Sequence, residues 1–174
     1  MFGQWLPLQD IPAEGRDFLI EDQSIWADPI EEFKLPYTLL SPMALELLIV
    51  KQEEGCLLRG RVRGRVSMPC ARCSEAAEVS LDGRFEIFEP FESEDGAGQL
   101  EQRYYRQVDD HLEINAGAIA WEQFLLGLPV KSLCAQECEG ICPHCGQNLN
   151  AASCSCHEEG GDPRMEVFRR LRIE

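Results

Sequence analysis

No run of eighteen apolar residues occurs anywhere in the chain, so no segment is long enough to cross a bilayer as a helix. The first residues, "MFGQWLPLQDIPAEG", have neither a basic start nor an apolar stretch with a cleavage site. The expectation from both absences is a soluble, cytoplasmic protein with no membrane partner. Bases are also scarce: 16 Lys and Arg stand against 31 Asp and Glu, a formal charge of −15. Such a field repels polyanions at long range, which argues against a simple nucleic-acid coat protein. It favours a basic partner, or local basic patches that work despite the mean. There are no internal repeats beyond pairs of cysteines.

Those cysteines are what the chain does have. Nine thiols in a reducing compartment read as metal ligands or redox centres before they read as disulfides. Cys56, in the strand-like run "CLLRG", is the odd one and reads as a small buried hydrophobe. The other eight form four pairs: Cys70 with Cys73, Cys134 with Cys138, Cys142 with Cys145, and Cys154 with Cys156. A tight turn brings two sulfurs to one tetrahedral zinc at about 2.3 Å, and two such turns complete its shell. In "CPHCG", Pro143 stiffens the turn and Gly146 can take the positive φ that points backbone N–H groups at sulfur. Grouping stays open: one ion on four of the six C-terminal sulfurs, two ions on all eight, or Cys70 and Cys73 standing apart. His144 and His157 adjoin ligands and are possible substitutes.

A thiol oxidoreductase needs a reactive pair at a helix N-terminus in a βαβ pattern. "CARC" instead joins two strands, and "CPHC" sits among four other cysteines. Catalytic zinc keeps an open position beside a general base, whereas four thiolates close the ion. The zinc is therefore expected to be structural, with no catalytic residues and no enzymatic activity.

The pattern around these pairs is mainly extended. "ALELLIVKQ" (44–52) and "CLLRGRVRGRVS" (56–67), separated by "EEG", predict an antiparallel hairpin. "AEVSLDGRFEIF" alternates strictly, with Ala77, Val79, Leu81, Gly83, Phe85 and Ile87 on one face. A long acidic loop is expected over 89–111, with a short strand near "QRYYRQV". A helix is expected over 116–128, capped by Asn115, with Trp121, Phe124, Leu125 and Leu128 as its apolar stripe. Near the end, Asp162 and Pro163 open a second helix with Met165, Phe168 and Leu171 on one side and arginines in its last turn. The fold class is α+β: a mainly antiparallel sheet and packed helix over 1–130, then a small Cys-rich zinc-knuckle module and helix over 131–174.

One surface feature invites a ligand. Arg59, Arg61, Arg63 and Arg65 alternate with glycine and valine, so in a strand all four guanidinium groups leave one face about 7 Å apart. They form a line of candidate phosphate-binding groups. The competing reading pairs them with Glu78, Asp82 and Glu86 of the next strand. Tyr104 and Tyr105, beside Arg103 and Arg106, are candidate stacking residues but equally ordinary β residues.

The blocks "VSMPCARCSEAAEVSLDGRFEIF" and "LGLPVKSLCAQECEGICPHCGQNLNAASCSC", with the closing "DPRMEVFRRL", resemble the YceD family of bacterial large-subunit ribosomal RNA accumulation proteins. The resemblance runs from about residue 44 to 171. It implies a cytoplasmic factor needed for accumulation of 23S rRNA and hence for large-subunit assembly, without a known enzymatic activity. Some members of the family keep the first cysteine pair and lack the C-terminal set, which fits a structural metal. The family's association with a neighbouring gene for a small, basic ribosomal protein implies a second possible partner, for which an acidic chain would act as a chaperone.

Overall fold

The computed structural model describes residues 3–91 and 104–156. Among these residues two antiparallel sheets and two α-helices enclose a main core. The larger sheet has the order β2 (Arg16–Ile20), β4 (Ala44–Lys51), β5 (Gly55–Pro69), β3 (Thr38–Leu39), with β6 (Ala76–Pro90) paired along the full length of β5. The smaller has β8 (His111–Asn115) between β1 (Trp5–Pro7) and β7 (Tyr105–Val108).

Alternation along β4 and β5 decides which face is inside. Leu45, Leu47 and Ile49 of β4, with Leu58, Val62 and Val66 of β5, are fully or almost fully buried, while the arginines between the β5 positions point outward. Burying each such side chain contributes about 1.5–3 kcal/mol, so a one-residue slip that turned this face outward would be very costly. The inner face is covered by α2 (Ala116–Gly127), which buries Ile119, Ala120, Trp121 and Phe124. Its start is fixed as the sequence predicts, the Asn115 side chain accepting the Ala118 N–H at 2.9 Å. Leu125, placed on the apolar stripe by spacing, is instead 40% exposed, because the helix turns its small residues Ala116, Gly117 and Ala120 inward and approaches closely.

The picture changes in two places. The acidic loop over 89–111 is shorter, since β6 runs on through Glu89 to Pro90 and residues 105–115 form the hairpin β7–β8, turning at Asp109 and Asp110. The short strand near "QRYYRQV" is β7; residues 92–103 of the loop lie outside the described residues. The N-terminal forty residues hold more than β1. They add β2, β3 and a helix, α1 (Ser24–Glu32), which buries Ile25, Trp26 and Pro29. The Gln23 amide holds α1 to β4, donating to the Met43 carbonyl and accepting the Met43 N–H, both at 2.9 Å. The expected helix after Asp162 falls outside the described residues.

Cys56 is buried beside Tyr105, and burial pushes its thiol pKa up, as expected of a packing residue. Among the described residues no helix is long and apolar enough to cross a membrane.

Candidate metal centres

The hairpin β5–β6 ends in the turn Cys70–Cys73, and the chain after α2 returns to it. The Ser132 hydroxyl donates to the Pro69 carbonyl at 2.6 Å, and the Ala71 N–H donates to the Ser132 carbonyl at 2.8 Å. This return places Cys134 and Cys138 against the turn, so Cys70, Cys73, Cys134 and Cys138 form one group with all four sulfurs within 4.8 Å of one another. A second group, built to the same limit, is Cys142, Cys145, Cys154 and Cys156. The eight thiols therefore come together as two groups of four that could each hold an ion, with Cys70 and Cys73 joined to the pair Cys134 and Cys138.

Sulfur separations test whether these groups fit an ion. Four ligands at 2.3 Å in a tetrahedron have edges of about 3.8 Å. Cys70 and Cys138 lie 3.7 Å apart, and Cys73 and Cys134 lie 3.5 Å apart. The first group fits the edges of a tetrahedral, thiolate-only metal of the zinc type, and the second has the same four-thiol donor set within the same 4.8 Å limit.

The two knuckles use one turn. In the first, the Ser74 N–H donates to the Cys70 carbonyl at 3.0 Å with Ser74 at φ 63°; in the second, the Gly146 N–H donates to the Cys142 carbonyl at 2.9 Å with Gly146 at φ 75°. Either residue must be left-handed for the backbone to fold back under the sulfurs. Glycine does this freely, and serine at a conformational cost.

Backbone amides tune the thiols. Burial raises the Cys70 pKa, but N–H groups of Arg72, Cys134 and Cys73 outweigh it and bring the thiol down to about 6. At Cys142 the N–H groups of Cys145 and His144 do the same, again to about 6. Hydrogen bonding to neighbouring sulfurs pushes Cys134, chiefly through Cys73, and Cys156, chiefly through Cys145, up to about 12. Each group thus holds its negative charge on some sulfurs and protons on others.

Around the first group, Arg72 donates its guanidinium to the Cys138 carbonyl at 2.6 Å, and the Asn150 amide donates to the Cys138 sulfur at 3.4 Å. Sequence reading missed both residues; an Arg inside a "CARC" knuckle and an Asn four residues before the last pair carried no distinctive spacing. The first group is buried except at Cys134, whereas the second exposes Cys145 and Cys156. His144 is exposed and belongs to neither group, and His157 lies outside the described residues.

The arginine strip is present on the outer face of β5, and every member has a carboxylate. Arg59 donates to Glu86 at 2.5 Å, Arg61 grips Asp82 with two bonds at 2.5 and 2.6 Å, Arg63 reaches Glu46 of β4, and Arg65 lies 4.0 Å from Glu78. The Arg61 guanidinium beside Asp82 lowers the pKa of that carboxyl. Tyr104 and Tyr105 are buried, Tyr104 donating to Glu122 and Tyr105 to the Glu89 carbonyl, so neither offers a face for stacking. Arg106 instead lies over the Trp5 ring, 4.1 Å from its centroid.

Residues 58–172 match the family model described as "Large ribosomal RNA subunit accumulation protein YceD". The chain is 24% identical over 157 residues to the chloroplastic large ribosomal RNA subunit accumulation protein YCED homolog 1 of Arabidopsis thaliana, covering 76% of this chain and 49% of the relative. To the homolog of the same name in Zea mays it is 24% identical over 159 residues, covering 74% and 54%. An uncharacterized protein of Mycobacterium tuberculosis is 30% identical over 124 residues, covering 69% and 57%. The chain thus spans about half the length of these relatives. No solved structure matches it.

Proposed function

The chain belongs to the YceD family of large ribosomal RNA subunit accumulation proteins, and on that premise we propose that it is a non-enzymatic factor in ribosome biogenesis. It serves the synthesis or accumulation of 23S rRNA and the assembly of the large subunit in the cytoplasm. The family match over two thirds of the chain carries this reading.

The two thiol groups act as staples. Zinc held by Cys70, Cys73, Cys134 and Cys138 would cross-link the β5–β6 tip to the segment after α2; zinc held by Cys142, Cys145, Cys154 and Cys156 would close the module on itself. Four thiolates leave no coordination position for substrate, and the remaining thiol, Cys56, is buried. These features support a scaffold over a thiol oxidoreductase.

The outer face of β5 presents Arg59, Arg61, Arg63 and Arg65 to rRNA, while the acidic remainder limits non-specific binding. Exposed ion pairs in water are weak, so RNA phosphates compete with Glu86, Asp82, Glu46 and Glu78 for these guanidinium groups. Replacing all four arginines with glutamine is expected to weaken association with large-subunit precursors and flatten its salt dependence. Unchanged association by a folded variant would reject the RNA contact.

The complete pairing of the strip, with a formal charge of −15, favours one alternative: an acidic chaperone of a small basic ribosomal protein. Sedimentation of a low-salt lysate separates the two. Comigration with 23S rRNA precursors that RNase abolishes supports the RNA-bound factor. An RNase-resistant complex with a small basic protein supports the chaperone.

A further inference from the structure

The outer face of the larger sheet carries a fifth arginine, on β6. In the β5–β6 register Arg61 lies directly opposite Arg84. Like charges in that position destabilise a sheet unless something neutralises them. Arg61 turns its fork to Asp82, and Arg59, Arg63 and Arg65 have their own carboxylates. Among the described residues Arg84 makes no hydrogen bond or close ion pair; Asp82, which Arg61 grips, attracts it only at longer range, and it is exposed on the same face.

An open groove of about 670 Å³ runs from Arg84 across Arg61 and Arg59 to β2 and β4. Its far side is apolar: Leu19 is 59% exposed, and Leu48 lies beside it. Asp17 and Glu46 also border the groove, and Glu46 is taken by Arg63.

We propose that this groove is where the protein grips single-stranded RNA, with Arg84 as the primary phosphate ligand, Arg61 opposite it as the second, and Leu19 and Leu48 against the sugar or base. The inference rests on the rRNA reading and deepens it. Neighbouring strands lie about 4.8 Å apart, a spacing at which one phosphate bridges two guanidinium groups. A phosphate reaches Arg84 without displacing an ion-pair partner, whereas at Arg61 it must loosen the two bonds to Asp82 and at the other arginines it must displace their carboxylates. Arg84 therefore binds an anion with the least loss, and the sequence strip contributes mainly through Arg61.

The test uses zinc-loaded full chain and a fluorescein-labelled oligouridine, followed by anisotropy over a range of salt concentrations. Arg84→Gln is expected to weaken binding about five- to twentyfold and to lower the slope of log affinity against log salt by about 0.7, the single-strand value for one phosphate contact. Arg65→Gln removes the same charge and is expected to change affinity less than about twofold. Arg84→Lys should recover part of the loss. Since Arg84 opposes a like charge, Arg84→Gln is also expected to melt no lower than the parent. Equal losses for Arg84→Gln and Arg65→Gln would overturn the assignment to Arg84 while leaving RNA binding intact. Failure of the parent to bind oligouridine, with Arg84-dependent binding of a polyglutamate peptide, would overturn both the groove and the RNA reading in favour of an acidic protein.

Discussion

Cys70 and Cys138 stand 68 positions apart in the chain, and their sulfurs lie 3.7 Å apart. One belongs to the tip of the longest hairpin and the other to the segment after the last described helix, so any ion they share ties sheet to module. The chain should bind two zinc ions tightly. Cys138→Ser is expected to lower the count to one and to undock the module. Cys145→Ser should also lower it to one, but leave the first group and its docking in place. Metal analysis with limited proteolysis checks both; a single ion in the parent would overturn the two-site arrangement.

Removing metal should have a local effect. The core around Leu45, Leu58 and Phe124 contains none of the eight ligand cysteines, whereas 134–156 is held by few buried apolar side chains. Strong chelation is therefore expected to expose 134–156 to protease while most of the sheet stays protected. Hydrogen exchange before and after chelation measures this directly. Protection of 134–156 that survives full metal removal would show that packing, not thiolate ligation, holds the module.

The knuckle turns can be tested one residue at a time. A Cβ at Gly146 would meet nothing within 4 Å, so alanine there pays only for its left-handed backbone, about 1–2 kcal/mol. Gly146→Ala should weaken zinc at the second site roughly tenfold, since about 1.4 kcal/mol is a factor of ten. Ser74→Gly relaxes the equivalent position and is expected to hold the first ion as well as or better than the parent. Competition with a chromogenic chelator gives both values.

How much of this the sequence disclosed depends on which interactions were local. Alternation in β4, β5 and β6 follows from a period of two, so their faces could be read directly, and Asn115 was recognisable as a cap because its partner lies three residues on. Pairing of Cys70 and Cys73 with Cys134 and Cys138 depends on the chain's return at Ser132, which no spacing encodes. Helix α1 carries an internal Pro29 and has no Ser, Thr, Asp or Asn at its cap position, Gln23; it exists because Trp26 and Ile25 enter the core. Alternation places Arg84 on the outer face of β6, but its position opposite Arg61 required the register.

Close packing across the strip gives a stability prediction. A Cβ at Gly60 would lie 2.4 Å from Phe85 Cζ and 2.9 Å from the Glu46 carbonyl oxygen. The aromatic ring would have to leave its place, and the backbone oxygen cannot yield cheaply. Gly60→Ala is expected to destabilise the fold by about 1–3 kcal/mol in denaturant titration. No change in midpoint would mean that Phe85 has room to move.

Zinc binding should depend on pH in a direction fixed by the thiols. Cys70 and Cys142, brought down to about 6, are mainly thiolates at neutral pH, while Cys134 and Cys156, pushed up to about 12, carry protons there. Only thiolates bind the metal, so loading the metal-free protein at pH 7 must expel protons, from Cys134 in the first group and Cys156 in the second among others. Protons and zinc therefore compete: affinity at both sites falls as pH falls. The fall steepens below about pH 6, where Cys70 and Cys142 also take up protons. The second group, with Cys145 and Cys156 exposed, should release its ion first on acidification, because solvent reaches its sulfurs while Cys70, Cys73 and Cys138 remain shielded. A weakly buffered titration with an indicator dye counts the protons, and zinc release followed against pH gives the order. Loading without proton release would mean that the thiols are already ionised in the metal-free fold. Earlier loss from the buried group would mean that the docking contacts of Ser132 and Arg72 do not shield it.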